Sequence, residues 1–114
     1  MQVTLSKTNL RILAHADQAL TFWSRLRGLM FTSKLPSDHG LWIKPCNSVH
    51  TFFMKFPIDV IFLSDDLTIV EVYKRVKPFR ITKLVRTSTS VLETNAGFID
   101  QFQLSCGDQL RFAP

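Results

Sequence analysis

Cys46, His50 and Asp59 bring a thiol, an imidazole and a carboxylate within 14 positions of this 114-residue sequence. A thiolate beside an imidazole can serve as nucleophile and base, and with a carboxylate the same three residues could hold a metal. Their spacing favours neither. Cys46 and His50 are four apart, which juxtaposes side chains on a helix, whereas Pro45 and the aromatic run that follows point to a turn and a strand. The expectation is a structural thiol and a hydrogen-bonded imidazole, with Cys46, His50 and Asp59 as weak metal candidates only, no bound metal and no cofactor. Neither CxxC, HExxH, GxGxxG, GxxxxGK[ST] nor GxSxG occurs. Glu93 is the other acid of interest, set between Val91-Leu92 and Asn95-Ala96-Gly97. Asp59 and Glu93 could form a carboxylate pair for acid and base work, or each could pair with Arg25 or Arg27. Ion pairs that pin a helix to the sheet are the expected role, so Glu93→Gln and Asp59→Asn should lower the melting temperature more than any ligand affinity.

The elements that must position these groups are short. Residues 10–14 read as a strand, and Asp17 as the N-cap of a helix over 18–27 with Leu20, Phe22, Trp23 and Leu26 as its apolar stripe and Gly28 as its stop. Residues 32–40 are turn-rich. Strands are expected at 41–44, closed by Pro45, then at 49–55, 58–63, 68–76, 87–94 and 109–112, with a short helix at 96–102. The fold class is α+β: a predominantly antiparallel sheet, curled or barrel-like to cover its edges, with one N-terminal and one short C-terminal helix in a single domain, 1–114.

Side-chain alternation then assigns faces. Ile58, Val60 and Phe62 share one face of their strand and Ile61 and Leu63 the other, so that strand is central and Asp59 is buried; it must be hydrogen-bonded, paired or protonated. On a regular strand over 49–55, His50, Phe52, Met54 and Phe56 line one face, an apolar stripe with one imidazole. Four of the ten Phe lie between 52 and 62, and they build either dense core or the wall of an apolar pocket. His50, Phe52, Met54, Asp59 and Glu93 are therefore the pocket candidates.

With 46% hydrophobic and 20% charged residues, the composition suits a packed domain and excludes collagen, coiled coil and wholesale disorder. Apolar runs are far shorter than a membrane span, and no signal peptide is legible, so a cytoplasmic monomer is expected. In that compartment Cys46 and Cys106 read as separate buried thiols. The net charge of +5 is concentrated: Lys74, Arg75, Lys77, Arg80, Lys83 and Arg86 fall in one acid-free stretch, and the rest of the chain carries eight basic and nine acidic residues. That patch suits an acidic protein, an anionic ligand such as phosphate or an anionic membrane surface, with a solvated strand face and loop as the plainer reading, while nucleic acid is disfavoured because no recognition motif accompanies it.

Arg25-Leu26-Arg27-Gly28-Leu29-Met30-Phe31, Gly40-Leu41-Trp42-Ile43, Pro45 to Phe52, Met54 to Leu63, Val91-Leu92-Glu93 with Ala96-Gly97, and Gly107-Asp108, in that order, resemble the domain-of-unknown-function family 192 over residues 10–112. The resemblance implies a small strand-rich domain of bacteria and archaea with no established reaction, cofactor or substrate, in some members exported; this chain resembles the unexported kind. It singles out Arg27, Gly28, His50, Met54, Asp59, Glu93, Gly97 and Asp108. Thr32, where relatives often have Arg, and Leu41, often Met, depart from the pattern. The leading functional expectation is a non-enzymatic binding or accessory domain with an apolar pocket and a basic patch. Its alternatives are a small metal-dependent or Cys/His/carboxylate enzyme, and a binder of acidic partners through residues 74–86.

Overall fold

A computed structural model describes residues 1–30 and 32–114, with Phe22 by its backbone alone. The expectations placed on Phe31 and on the Phe22 side chain lie outside the described residues. In chain order the elements are β1 (Gln2–Leu5), β2 (Leu10–Leu13), β3 (His15–Ala19), α1 (Phe22–Arg27), β4 (His39–Ile43), β5 (Ile58–Leu63), β6 (Ile69–Val76), β7 (Ser90–Asn95), α2 (Phe98–Gln101) and β8 (Leu110–Ala113). They make a three-stranded sheet, β2-β1-β8, and a five-stranded sheet, β3-β4-β7-β5-β6, with β3–β4 as the parallel pair. The architecture is α+β and mostly antiparallel, as expected. It is not a barrel: both sheets stay open, and one face of the larger packs on the smaller.

The faces follow the alternation in β5, which is buried at every position. Ile61, Leu63, Leu92 and Trp42 meet Val3, Leu5, Leu13 and Leu110 between the sheets. Ile58, Val60, Phe62 and Val91 point the other way, under a cover that includes Leu29, Val49, Met54 and Val85. That cover is irregular: α1 with its flanks, the segment between β4 and β5, and the segment between β6 and β7.

Two sequence expectations fail for tertiary reasons, and a third element lies where no expectation was placed. The first helix begins at Thr21, not at Asp17. Residues 15–19 instead pair in parallel with 39–43, which buries Ala16 and Ala19 and leaves Asp17 on the surface. Thr21 caps α1 through a reciprocal arrangement in which the Ser24 amide donates to Thr21 Oγ1 at 3.1 Å and the Thr21 amide to Ser24 Oγ at 3.0 Å. The stripe of Leu20, Trp23 and Leu26 is exposed, not core. The strand over 49–55 is the second failure. Its first part runs antiparallel to residues 80–85 through a bridge between His50 and Ile81, but the chain then turns, with φ +60 at Phe53 and the Met54 amide donating to Thr51 O. Phe52 and Phe53 are consequently both exposed, which no regular strand allows on a half-buried sheet. The third is β1, where Val3 and Leu5 alternate with Gln2 and Thr4 in a run too short to stand out, yet it forms the middle of the smaller sheet by pairing both β2 and β8.

Asp59 faces the inter-sheet side, opposite Thr94. Fully buried, it is satisfied by backbone: Oδ1 accepts from the Arg75 amide at 2.9 Å and Oδ2 from the Ile99 amide at 2.9 Å. Arg75 sits at φ +51 where the β5–β6 register slips, and α2 has no capping side chain of its own, so one carboxylate holds a kink in β6 and the start of α2 together. Asp59→Ala strands the buried Ile99 amide and unties the part-buried Arg75 amide, and is expected to lower the unfolding free energy by about 2 kcal/mol. Urea denaturation checks this; an unchanged midpoint would contradict the bridging role.

Candidate functional site

Glu93 pairs with Leu41 on one side and Val60 on the other, so its side chain leaves the sheet on the face opposite to Asp59. The two acids cannot form a carboxylate dyad, because neighbouring register positions on a pleated sheet point to opposite faces. Above Glu93 lies the end of α1. Gly28 terminates that helix at φ +49 and ψ −124, a conformation that L side chains rarely adopt, and a Cβ there would stand 3.4 Å from Glu93 Oε1. The glycine thus ends the helix and leaves space over the carboxyl.

The other wall is the segment after Pro45, held along residues 80–89 by backbone bonds. The Cys46 amide donates to Thr89 O at 3.0 Å, the Thr82 amide to Val49 O at 2.8 Å and the Thr51 amide to Arg80 O at 2.8 Å. Buried Thr51 adds a side-chain clasp, its hydroxyl donating to Lys77 O at 2.6 Å and accepting from the Arg80 amide at 2.9 Å. His50 is committed on both ring nitrogens. Nδ1 accepts from the Phe52 amide at 3.3 Å, which leaves the proton on Nε2 to be donated to Leu26 O at 3.0 Å. The imidazole therefore ties this segment to α1 and has no nitrogen left for a thiol. Cys46 points its own S–H at Ser48 O, 3.1 Å away, and burial pushes its pKa up. No thiolate–imidazole pair is assembled.

Between these walls is a chamber of about 40 Å³, lined by Arg25, Arg27, Gly28, Cys46 and His50 with Glu93 at its inner end. Leu26, Ser48, Val49 and His50 also line a larger open groove of about 490 Å³ whose other walls are Met30, Phe52, Phe53 and Ile81. Groove and chamber lie side by side, with those four residues in the wall of both. The groove is apolar, and the chamber mixes apolar walls with the polar side chains of Arg25, Arg27, Cys46, Ser48, His50 and Glu93. Glu93 is 2% exposed, and its Oε1 has no hydrogen-bond partner. Burial pushes the carboxyl up to about 8. The expected ion pair is absent: among the described residues neither Arg25 nor Arg27 bridges to Glu93, and Arg25 donates instead to Thr21 O at 3.3 Å and Pro45 O at 3.2 Å.

Of the pocket candidates, His50 and Glu93 come together and Phe52 lines the adjoining groove. Met54 is core, and Asp59 lies across the sheet. Among the described residues no three His, Cys, Asp or Glu side chains gather as a metal would need, and Asp59 is separated by the sheet from Cys46 and His50. Leu26, Met30 and Ser48 were not legible as site residues, because nothing in their local pattern distinguishes a groove wall from a helix stripe or a turn. The basic stretch is not one free patch: Lys74 and Arg75 both pair with Asp100, at 2.7 and 3.0 Å, and Lys83 approaches Glu71 at 3.7 Å. Lys77, Arg80 and Arg86 stay exposed. Cys46 and Cys106 are both free thiols, the first partly buried and the second exposed instead of buried. Among the described residues no helix is long and apolar enough to cross a membrane.

Fold and site together define a two-sheet α+β domain with a buried acid in the lining of a small chamber. Residues 2–112 match the DUF192 family, described as Uncharacterized ACR, COG1430, and the chain belongs to it. It is 36% identical over 98 residues to a UPF0127 protein of Thermococcus sibiricus, covering 79% of this chain and 60% of that one. It is 30% identical over 100 residues to the UPF0127 protein TK1120 of Thermococcus kodakarensis, covering 82% and 62%. The chain thus spans about three fifths of the length of these relatives. In fold it is similar to a protein of unknown function from Novosphingobium aromaticivorans, with a TM-score of 0.84 at 22% identity, covering 98% of this chain and 84% of that one.

The state of Glu93 has a measurable consequence. Between its ordinary value of 4.5 and the folded value of about 8, the native protein retains a proton that the unfolded chain has released. The contribution to stability is complete below about pH 4.5 and is lost as pH rises toward 8, at up to about 1.4 kcal/mol per pH unit. Glu93→Gln removes the titration, so the variant is expected to be more stable than the parent at about pH 8 and to lack that slope, the reverse of what an ion pair predicts. Chemical denaturation from about pH 5 to about pH 9 measures it; a variant less stable at the alkaline end would refute the neutral-acid account.

Proposed function

We propose that this domain binds a small amphipathic molecule, its apolar body in the groove and a compact hydrogen-bonding head in the chamber. The observation that carries the reading is the unpartnered Glu93 Oε1 in the lining of a small chamber whose wall residues Leu26, Ser48, Val49 and His50 also line an apolar groove. A buried carboxyl without a partner is costly, and a ligand that supplies the missing hydrogen bond recovers that cost on binding. Near neutral pH the protonated acid offers one donor and one acceptor, which suits an amide, a hydroxyl or a carboxyl group. The chamber admits only a group of about water size or a little larger. This is the binding-domain expectation with its residues revised to Glu93, His50, Leu26 and Phe52, leaving Met54 and Asp59 as supports of the fold.

Titration calorimetry with octanamide, octanol and octane-1,2-diol tests the reading. Octanamide is expected to bind, with Glu93→Leu weakening it at least about tenfold by removing both hydrogen-bonding atoms. Ile81→Asp, a change at an exposed groove position, should weaken all three together. Equal affinity for the parent and Glu93→Leu, or no binding of any of the three, would reject the pocket.

A further inference from the structure

We propose that the two apolar loops beside the groove, residues 50–56 and 77–81, dock this protein on an anionic lipid surface. Phe52, Phe53, Phe79 and Ile81 are 37%, 53%, 58% and 67% exposed. They form one cluster: the Phe79 ring centroid lies 6.4 Å from that of Phe52 and 6.0 Å from that of Phe53, and Ile81 bridges to His50. Nor are these loose loop tips, because buried Thr51 clasps Lys77 and Arg80 of the second loop through both backbone and hydroxyl. An apolar prominence of this kind, fixed in place, enters an interface without the entropic cost of ordering it first.

Charge decides what the surface meets. Segments 20–30, 32–37, 44–57 and 77–89, which contribute to the cover over one face of the larger sheet, hold Arg25, Arg27, Lys34, Lys44, Lys55, Lys77, Arg80, Lys83 and Arg86: nine of the fourteen basic residues and none of the nine acidic ones. The carboxylate beneath them, Glu93, is buried. Every other acid lies outside these segments, although Glu71 of β6 reaches this face, its Oε2 3.7 Å from Lys83 Nζ; cations still outnumber acids on the side that carries the exposed aromatics. Lys55, Lys77 and Arg80 alternate with Phe53, Phe79 and Ile81 along the two loops, placing cations at headgroup level when the rings enter the acyl boundary. A wholly apolar cluster with an uncharged rim would suit another protein, and a basic patch without exposed aromatics would suit a soluble polyanion; the two combined suit a membrane carrying negative lipids. This inference goes beyond the pocket reading and stands without it.

Sedimentation with phosphatidylcholine vesicles, with and without phosphatidylserine, is the test. The full chain is expected to co-sediment with the phosphatidylserine vesicles and far less with phosphatidylcholine alone, and to release as salt is raised. The double variant Lys77→Gln/Arg80→Gln should weaken binding by roughly 25-fold, at about fivefold per cation. Phe53→Ser/Phe79→Ser should weaken it at least about tenfold through lost apolar burial. All four positions are exposed, and an unchanged melting temperature confirms that the variants fold. Glu93→Gln should leave vesicle binding unaltered, so this test and that of the pocket fail separately. No co-sedimentation, equal binding to both vesicle types, or aromatic variants that bind like the parent would overturn the proposal. So would concentration-dependent self-association abolished by Phe53→Ser/Phe79→Ser without vesicle binding, which would assign the cluster to a second copy of the chain.

Discussion

Strand β5 is buried on both faces over its whole length, and the rest of the molecule is arranged to satisfy that requirement. A strand of this kind needs two covers, and here one of them is a sheet and the other is not. The terminal strands β1 and β8, with β2, supply one cover in regular form. The other is made from one short helix and two irregular segments, whose backbone polar groups bond chiefly to one another. An irregular cover leaves gaps where a second sheet would interdigitate, and the chamber and groove are such gaps.

The two acids of the larger sheet show what each cover permits. Asp59 faces the regular side and meets two backbone amides, at the kink in β6 and at the first turn of α2, so its charge is solvated by the protein itself. Glu93 faces the irregular side, where burial is as complete but no donor reaches Oε1, and burial favours the protonated carboxyl. One acid builds the fold. The other leaves unspent hydrogen-bonding capacity at the end of a cavity, the condition under which a ligand gains by entering.

The same division separates the charges. The strands with their turns and α2 carry the acids, several of them engaged: Asp100 with Lys74 and Arg75, Asp108 with Lys7, Asp66 with the Ser64 hydroxyl. The irregular cover carries cations and aromatics without acids, so solvent-exposed charge and apolar area coincide on one side of the molecule. His50 belongs to this arrangement as a strut between α1 and the segment after Pro45, not as a titrating partner of Cys46.

Local pattern was sufficient wherever the local requirement and the tertiary one coincide. The alternation in 58–63 assigned both faces of β5 and the burial of Asp59, Gly28 was legible as the end of α1, and the family resemblance followed from residues strung along the chain. Residues 15–19 mislead because a polar-looking Asp-Gln pair gives a plausible helix start, and only pairing with β4 makes them a strand. Residues 49–55 mislead because alternation cannot see the turn at Phe53 that exposes two adjacent rings. Asp59 and Glu93, which sequence treats alike as acids among apolar neighbours, part company by a single register step that sends them to opposite faces. Composition, strand periodicity and the existence of buried acids are thus properties of the sequence itself. Which acid finds partners, and which closes a cavity, was decided by tertiary packing, because hydrogen-bond supply at a buried site comes from segments distant in the chain.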